Sequence, residues 1–145
     1  MHYKNTTAVV TGGSKGIGAS CARLFFEAGA NVAVLDISED GSGISDDRWF
    51  CIHCDVSNNL DVSNAMQAVV KKFGGIDYLV NNAGIQRYGS VTYTSEEEWD
   101  LVMNVNLKSL FLCSKYAIPY MEENKKGVII NISSVQAFVS QRIVA

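Results

Sequence analysis

Only two histidines occur in the chain, His2 at its start and His53 within an apolar run. Neither follows Ser133-Ser134, so no histidine is placed to activate those serines and a Ser-His-Asp hydrolase is unsupported. No apolar run reaches the roughly 18 residues that a membrane-spanning helix needs. The opening Met1-His2-Tyr3-Lys4-Asn5 leads straight into a short apolar segment. It lacks the basic and apolar regions of a signal peptide, so the expected location is the cytoplasm. Basic residues are not in excess: 12 Lys and Arg face 15 Asp and Glu, for a formal net charge of −3. That balance speaks against a nucleic-acid partner.

What is present suits a folded globular protein. The 145 residues are 48% hydrophobic and 19% charged, enough for one domain with a real core. No repeat, low-complexity tract or linker divides the chain, so residues 1–145 are read as a single unit. Cys51 and Cys54 form a C-x-x-C. They lie in a strand-like run, where residues three apart point to opposite faces. A redox pair favours a helix N-terminus, and further zinc ligands are missing. Both cysteines are therefore read as structural, and His53 between them likewise. No metal site is expected.

Strand and helix patterns alternate. Ala8-Val9-Val10 reads as a strand, followed by a glycine-rich turn from Thr11 to Gly18 and a helix through Cys21, Leu24, Phe25 and Ala28 that Gly29 closes. Asn31 to Asp36 is apolar on both faces, as strands of covered parallel sheets are. Ser38 to Asp47 reads as a loop, Trp49 to Val56 as the third strand and Asn59 to Phe73 as an amphipathic helix ended by Gly74-Gly75. Ile76 to Asn81 is the fourth strand. Ser95 caps a helical pattern opening with Glu96-Glu97-Glu98 and continuing to about Glu123. Pro119 within it is expected to bend or break the helix. Gly127 to Ile132 is the fifth strand, and Ser133 to Ala145 has no clear period. The order predicts an α/β fold, a doubly wound parallel sheet with right-handed crossovers.

Four clusters carry chemistry. Thr11-Gly12-Gly13-Ser14-Lys15-Gly16-Ile17-Gly18 follows a strand and opens a helix. There, glycines let backbone approach a pyrophosphate and the helix N-terminus offers free N–H groups. A phosphate loop of the triphosphatase kind fails, because Lys15 precedes Gly16 and no Ser or Thr follows in place. Asp36, eighteen residues after Gly18, ends the second strand. Its carboxylate can accept from an adenosine ribose and repels a 2′-phosphate, which favours NAD over NADP. Lys15 argues for NADP, so NADP stays possible. Asn81-Asn82-Ala83-Gly84 ends the fourth strand, either lining a cofactor cleft or making a plain turn. Asn131-Ile132-Ser133-Ser134 ends the fifth, placing serine hydroxyls where they can meet a substrate oxygen.

In this order the clusters resemble the short-chain dehydrogenase/reductase family, over the whole chain. The matching patterns are Thr11-Gly12-x-x-x-Gly16-x-Gly18, Asp55-Val56, Asn81-Asn82-Ala83-Gly84, Asn104-Val105-Asn106-Leu107 and Ser133-Ser134. A weaker likeness, to sugar (aldose 1-) dehydrogenases, rests on Ala117 to Met121 and Ile132 to Ala137. The resemblance implies a Rossmann-type NAD(P)-binding domain, incomplete after its fifth strand, and hydride transfer between nicotinamide and a secondary alcohol, ketone or sugar. It implies that Gly12, Gly16, Ile17 and Gly18 cradle the pyrophosphate, with Ser14 and Lys15 in the same turn. Asp36 meets the ribose, Asp55 and Val56 the adenine, and Asn82, Ala83 and Gly84 the nicotinamide side. Asn106 matches the active-site asparagine that helps hold a proton-relay water, and Ser134 the catalytic serine. Gln86 and Gln136 are substrate-side candidates. The resemblance also implies a homo-oligomer built through the helices at Ser95 to Glu123.

The family's proton-exchanging tyrosine belongs thirteen positions after the serine, two beyond Ala145, and its lysine four later. The expectation is therefore that activity belongs to a longer parent and that these 145 residues alone are inactive. Without the remaining strands, exposed apolar surface is expected. The competing reading is a non-catalytic nucleotide-binding or interaction module.

Overall fold

The computed structural model describes residues 3–38 and 42–139. His2, residues 39–41 of the loop after Ser38 and residues 140–145 lie outside them. The elements run β1 (Thr7–Thr11), α1 (Gly16–Glu27), β2 (Asn31–Asp36), β3 (Trp49–His53), α2 (Asn59–Phe73), β4 (Tyr78–Asn81), α3 (Glu96–Met103), a π turn (Asn104–Lys108), α4 (Ser109–Glu123), β5 (Val128–Asn131) and a 3-10 turn (Val135–Ala137).

All strand pairs are parallel, in the order β3-β2-β1-β4-β5. β1 and β2 are buried on both faces because each carries an apolar layer above and below. On one face Val9, Leu35 and Leu79 pack with Val62, Met66 and Val69 of α2 and Leu112, Cys113 and Ala117 of α4. On the other, Val10, Val32, Val34 and Val80 pack with Ala22 of α1 and with Trp49. This is the doubly wound arrangement expected. Strand order reverses between β1 and β4, and ligands in such sheets sit beyond the strand ends at that point.

Several boundaries differ from the sequence reading. β3 ends at His53 rather than Val56, because Asp55 turns the chain: its Oδ1 accepts the Ser57 N–H at 2.9 Å and hydroxyl at 2.7 Å. β4 begins at Tyr78 rather than Ile76. α1 starts at Gly16, inside the glycine-rich stretch, and its C-cap is Ala28, with Gly29 following at φ +101°. α4 continues through Pro119 instead of breaking there. Pro119 is on an exposed face, where water can take the carbonyl left without a partner. The interruption falls earlier, at Asn104–Lys108, where backbone bonds lengthen to π spacing and the Ser109 hydroxyl donates to the Val105 carbonyl. After β5 a short 3-10 turn forms where no period was read.

Cys51 packs with the α1-side core and Cys54, just past the end of β3, with the opposite one. Burial pushes the Cys54 thiol up to about 12, helped by Asp61 and Asp55, and burial does the same to Cys113, helped by Cys54. Among the described residues no group of His, Cys, Asp and Glu is placed to hold a metal, and no helix is long and apolar enough to cross a membrane. β5 is an outer strand with Val128 and Ile130 exposed, as is Ile132 just beyond it.

Candidate functional site

The turn between β1 and α1 is shaped by close packing against the end of β4. Gly12 has φ +62°, and a Cβ there would lie 2.8 Å from the Ala83 Cα. Gly18 has no room either: a Cβ would run into the Gly12 carbonyl oxygen and the Asn82 side chain. Gly16 differs. Its φ is +59° and nothing lies within 4 Å of its Cβ direction. The backbone therefore opens onto free space at the first residue of α1. No side chain caps α1, so its first N–H groups are available to an anion. Ile17 is exposed beside them and Gly18 buried beneath. A cradle that a Cβ would crowd, at an uncapped helix N-terminus, fits the pyrophosphate of a dinucleotide.

Thr11 and Asn82 brace this turn. The Thr11 hydroxyl oxygen accepts the N–H groups of Asn82 and Ala83, each at 3.0 Å. The Asn82 side-chain amide donates to the carbonyls of Thr11 and Gly12, also at 3.0 Å. Asn82 thus holds the glycine-rich turn from the end of β4, while residues 82–84 form no turn of their own.

A cavity of about 310 Å³ opens over these strand ends, lined by Gly12, Lys15, Asp36, Asp55, Val56, Asn82, Ala83 and Gly84 among others. Asp36 is 9% exposed. Burial alone would raise its pKa, but the N–H groups of Ser38 and Ser14, with their hydroxyls, outweigh it and hold the carboxyl below its ordinary range. Asp36 is therefore a carboxylate at neutral pH, with the exposed Lys15 on the same cavity.

A second cavity, of about 600 Å³, adjoins it across Ile85. Gln86, Asn106, Ser134 and Gln136 all line this one. Asn106 stands in the π turn, and its amide makes a two-point contact with the Ile85 backbone, accepting the N–H and donating to the carbonyl, both at 2.8 Å. The Ser134 oxygen accepts the Gln136 N–H at 3.2 Å and so also caps the 3-10 turn. Gln86 Oε1 accepts the Tyr88 hydroxyl at 3.3 Å.

Every candidate residue read from the sequence thus lies in the turn, in the first cavity or in the second. Sequence reasoning missed Thr11 as a brace, Ile85 as the shared wall, and the pair Glu98–Trp99 on the first turn of α3, which line the larger cavity. The acidic start of α3 was read only as helix chemistry. An aromatic residue directly after it was the available signal.

Comparisons with known proteins agree with this architecture. A family profile described as short chain dehydrogenase matches residues 6–145. An uncharacterized oxidoreductase of Thermotoga maritima is 40% identical over 92% of this chain and 55% of its own length. The meso-2,3-butanediol dehydrogenase of Serratia marcescens is 35% identical over 93% of this chain and 55% of its own. The ligand-free structure of Thermoplasma acidophilum aldohexose dehydrogenase superposes with a TM-score of 0.91 at 38% identity, covering 97% of this chain and 54% of that one. The chain spans about half the length of the relatives it matches.

Proposed function

The chain belongs to the short-chain dehydrogenase family, and from that premise we propose that the whole protein is an NAD(P)-dependent oxidoreductase acting on a polar secondary alcohol, ketone or sugar. The observation that carries this reading is the pair of adjoining cavities at the point where strand order reverses. One has the uncapped α1 N-terminus and Asp36 at its edge. The other has Asn106 and Ser134 in its wall.

In this reading Gly12, Gly16, Ile17 and Gly18, with Ser14 and Lys15, receive the pyrophosphate region. Asp36 accepts from the ribose, Asp55 and Val56 flank the adenine, and Asn82, Ala83 and Gly84 border the nicotinamide. The nucleotide, when bound, supplies hydride-exchange chemistry. The chain's own part is to orient the reactants. Ser134 donates its hydroxyl to the reacting substrate oxygen. Asn106, fixed by Ile85, is the active-site asparagine beside it. Gln86 and Gln136 offer amides to further polar groups of the substrate. Asp36 makes NAD the preferred nucleotide, because a buried carboxylate beside a 2′-phosphate is costly; Lys15 leaves NADP as the weaker alternative. The exposed Leu107 of the π turn and Phe111 and Ile118 of α4 support assembly of the whole protein with copies of itself.

The test is a titration of the whole protein with NADH and NADPH, followed by nicotinamide fluorescence, then turnover assays with aldoses and secondary alcohols. Saturable NADH binding, with NADPH weaker and NAD-dependent oxidation of at least one such alcohol, is the expected result. Binding of neither nucleotide would overturn the reading.

A further inference from the structure

Asp36 is held where a ribose ligand would need it, yet its carboxylate is already engaged. Oδ2 accepts the Ser14 N–H at 3.0 Å and Oδ1 accepts the Ser38 N–H at 2.9 Å. Ser14 belongs to the glycine-rich turn, and Ser38 lies in the segment that leaves β2. One carboxylate therefore joins the two stretches of backbone that border the adenosine end of the cleft. Its own backbone is fixed from the side, since the Asp36 carbonyl accepts the Cys54 N–H at 2.9 Å. The turn is tied to the same strand a second time through Gly12, whose N–H donates to the Leu35 carbonyl at 2.8 Å. A carboxylate has about four acceptor positions, so two N–H bonds leave positions for ribose hydroxyls.

We propose that Asp36 is a positioning residue: its carboxylate clasps the glycine-rich turn to the segment after β2 before any nucleotide arrives, and so governs how well both NAD and NADP bind. This inference rests on the cofactor reading above and goes beyond it. If Asp36 acted by charge alone, removing the charge would relieve repulsion of a 2′-phosphate and leave the turn as it was. As a clasp, its loss releases the N–H groups of Ser14 and Ser38 on opposite sides of the cleft. Hydrogen bonds to charged groups are strong enough that losing one weakens a linked equilibrium about tenfold. The lowered pKa of Asp36 agrees with this, since both N–H bonds favour the charged form.

Two variants of the whole protein separate these readings. Asp36→Asn removes the charge and turns an amide NH₂ toward one of the two N–H groups. Ser38→Pro keeps the Asp36 charge but deletes one of the N–H donors. Each is compared with wild type by hydrogen–deuterium exchange without nucleotide and by fluorescence titration with NADH and NADPH. In Asp36→Asn the amides from Gly13 to Gly16 exchange about tenfold faster while those of β1 and β4 keep their protection. NADH then binds about tenfold more weakly, and NADPH loses less, because the repulsion of its 2′-phosphate goes with the charge. Ser38→Pro shows the faster exchange and weaker binding at smaller size, with no change in the ratio of the two affinities. Tighter NADPH binding in Asp36→Asn with unchanged exchange in the turn overturns the proposal. So does unchanged exchange in both variants. If wild type binds neither nucleotide, the cofactor reading fails, whereas the exchange comparison still decides whether the clasp exists. If Asp36→Asn does not fold, Ser38→Pro alone decides it by the same two measurements.

Discussion

Asn106 and Ile85 meet through two hydrogen bonds of equal length, 2.8 Å each, running in opposite directions between a side-chain amide and a peptide backbone. An amide is the group suited to this, because it donates and accepts in one plane. The pairing fixes the wall shared by the two cavities, at the point where the helix carrying Asn106 has π spacing. Asn106→Leu loses both bonds. Turnover by the whole protein is expected to fall at least tenfold, with stability reduced by about 1–2 kcal/mol. Steady-state kinetics and thermal melting of the same preparation check both. Unaltered kcat would remove Asn106 from the site.

Gly16 and Gly18 are predicted to fail for different reasons. In Gly18→Ala the new methyl group meets the Gly12 carbonyl and the Asn82 amide, so the fold should lose about 1–3 kcal/mol through overpacking. In Gly16→Ala there is space, and the cost is about 1–2 kcal/mol from a left-handed backbone, but the methyl group stands where the pyrophosphate would sit. Melting temperature should drop in both variants, further in Gly18→Ala. NADH affinity measured well below either melting point should fall in Gly16→Ala also.

The clasp has a pH signature. The folded-state pKa of Asp36 lies below the ordinary 3.8, so the carboxylate contributes stability that is fully present above that ordinary value. The contribution is lost as pH falls through the lowered folded value. Wild type and Asp36→Asn should therefore differ most in melting temperature at neutral pH, hold that difference down to about pH 5, and converge in stronger acid. A difference that stays constant through the acid range would contradict this.

Two of the four cysteines should be inert in the native protein. With the thiols of Cys54 and Cys113 pushed up to about 12 and both buried, iodoacetamide at pH 8 should reach only Cys21 and Cys51. Mass spectrometry should find at most two adducts before denaturation and four after it, matching the four cysteines of the sequence.

The exposed stripe that runs from the π turn into α4 makes a prediction about assembly. Phe111 is 62% exposed and Leu107 57%. Placing a charge there with Phe111→Glu should shift the whole protein toward monomer in sedimentation velocity while leaving its circular dichroism unchanged. An unaltered sedimentation coefficient would show that copies meet elsewhere, or not at all.

Sequence and structure agree best where one local rule decides. α2 was legible from end to end because its apolar period, its sharp start after Asn58 and the left-handed Gly74 all point the same way. The glycine-rich turn was legible because its residues have few other uses. The π turn was not, since nothing local in Asn104–Lys108 requires it. Its Asn106 bonds to Ile85, 21 residues away. β3 was read too long because Cys54 and Val56 are apolar, while Asp55 and Ser57 between and beyond them make the turn. Asn82 was expected in the cleft, and its brace on Thr11 and Gly12 was invisible because those partners lie 71 and 70 residues back.

That last separation sets an order in time. The Thr11 hydroxyl accepts from Asn82 and Ala83 across 71 and 72 residues, and β1 lies between β2 and β4. The glycine-rich turn thus acquires its bracing only after β4 has docked, a long-range closure that comes late and slowly in parallel sheets. A nucleotide that recognises the finished turn binds after the rate-limiting step. It should slow unfolding while leaving the refolding rate nearly untouched.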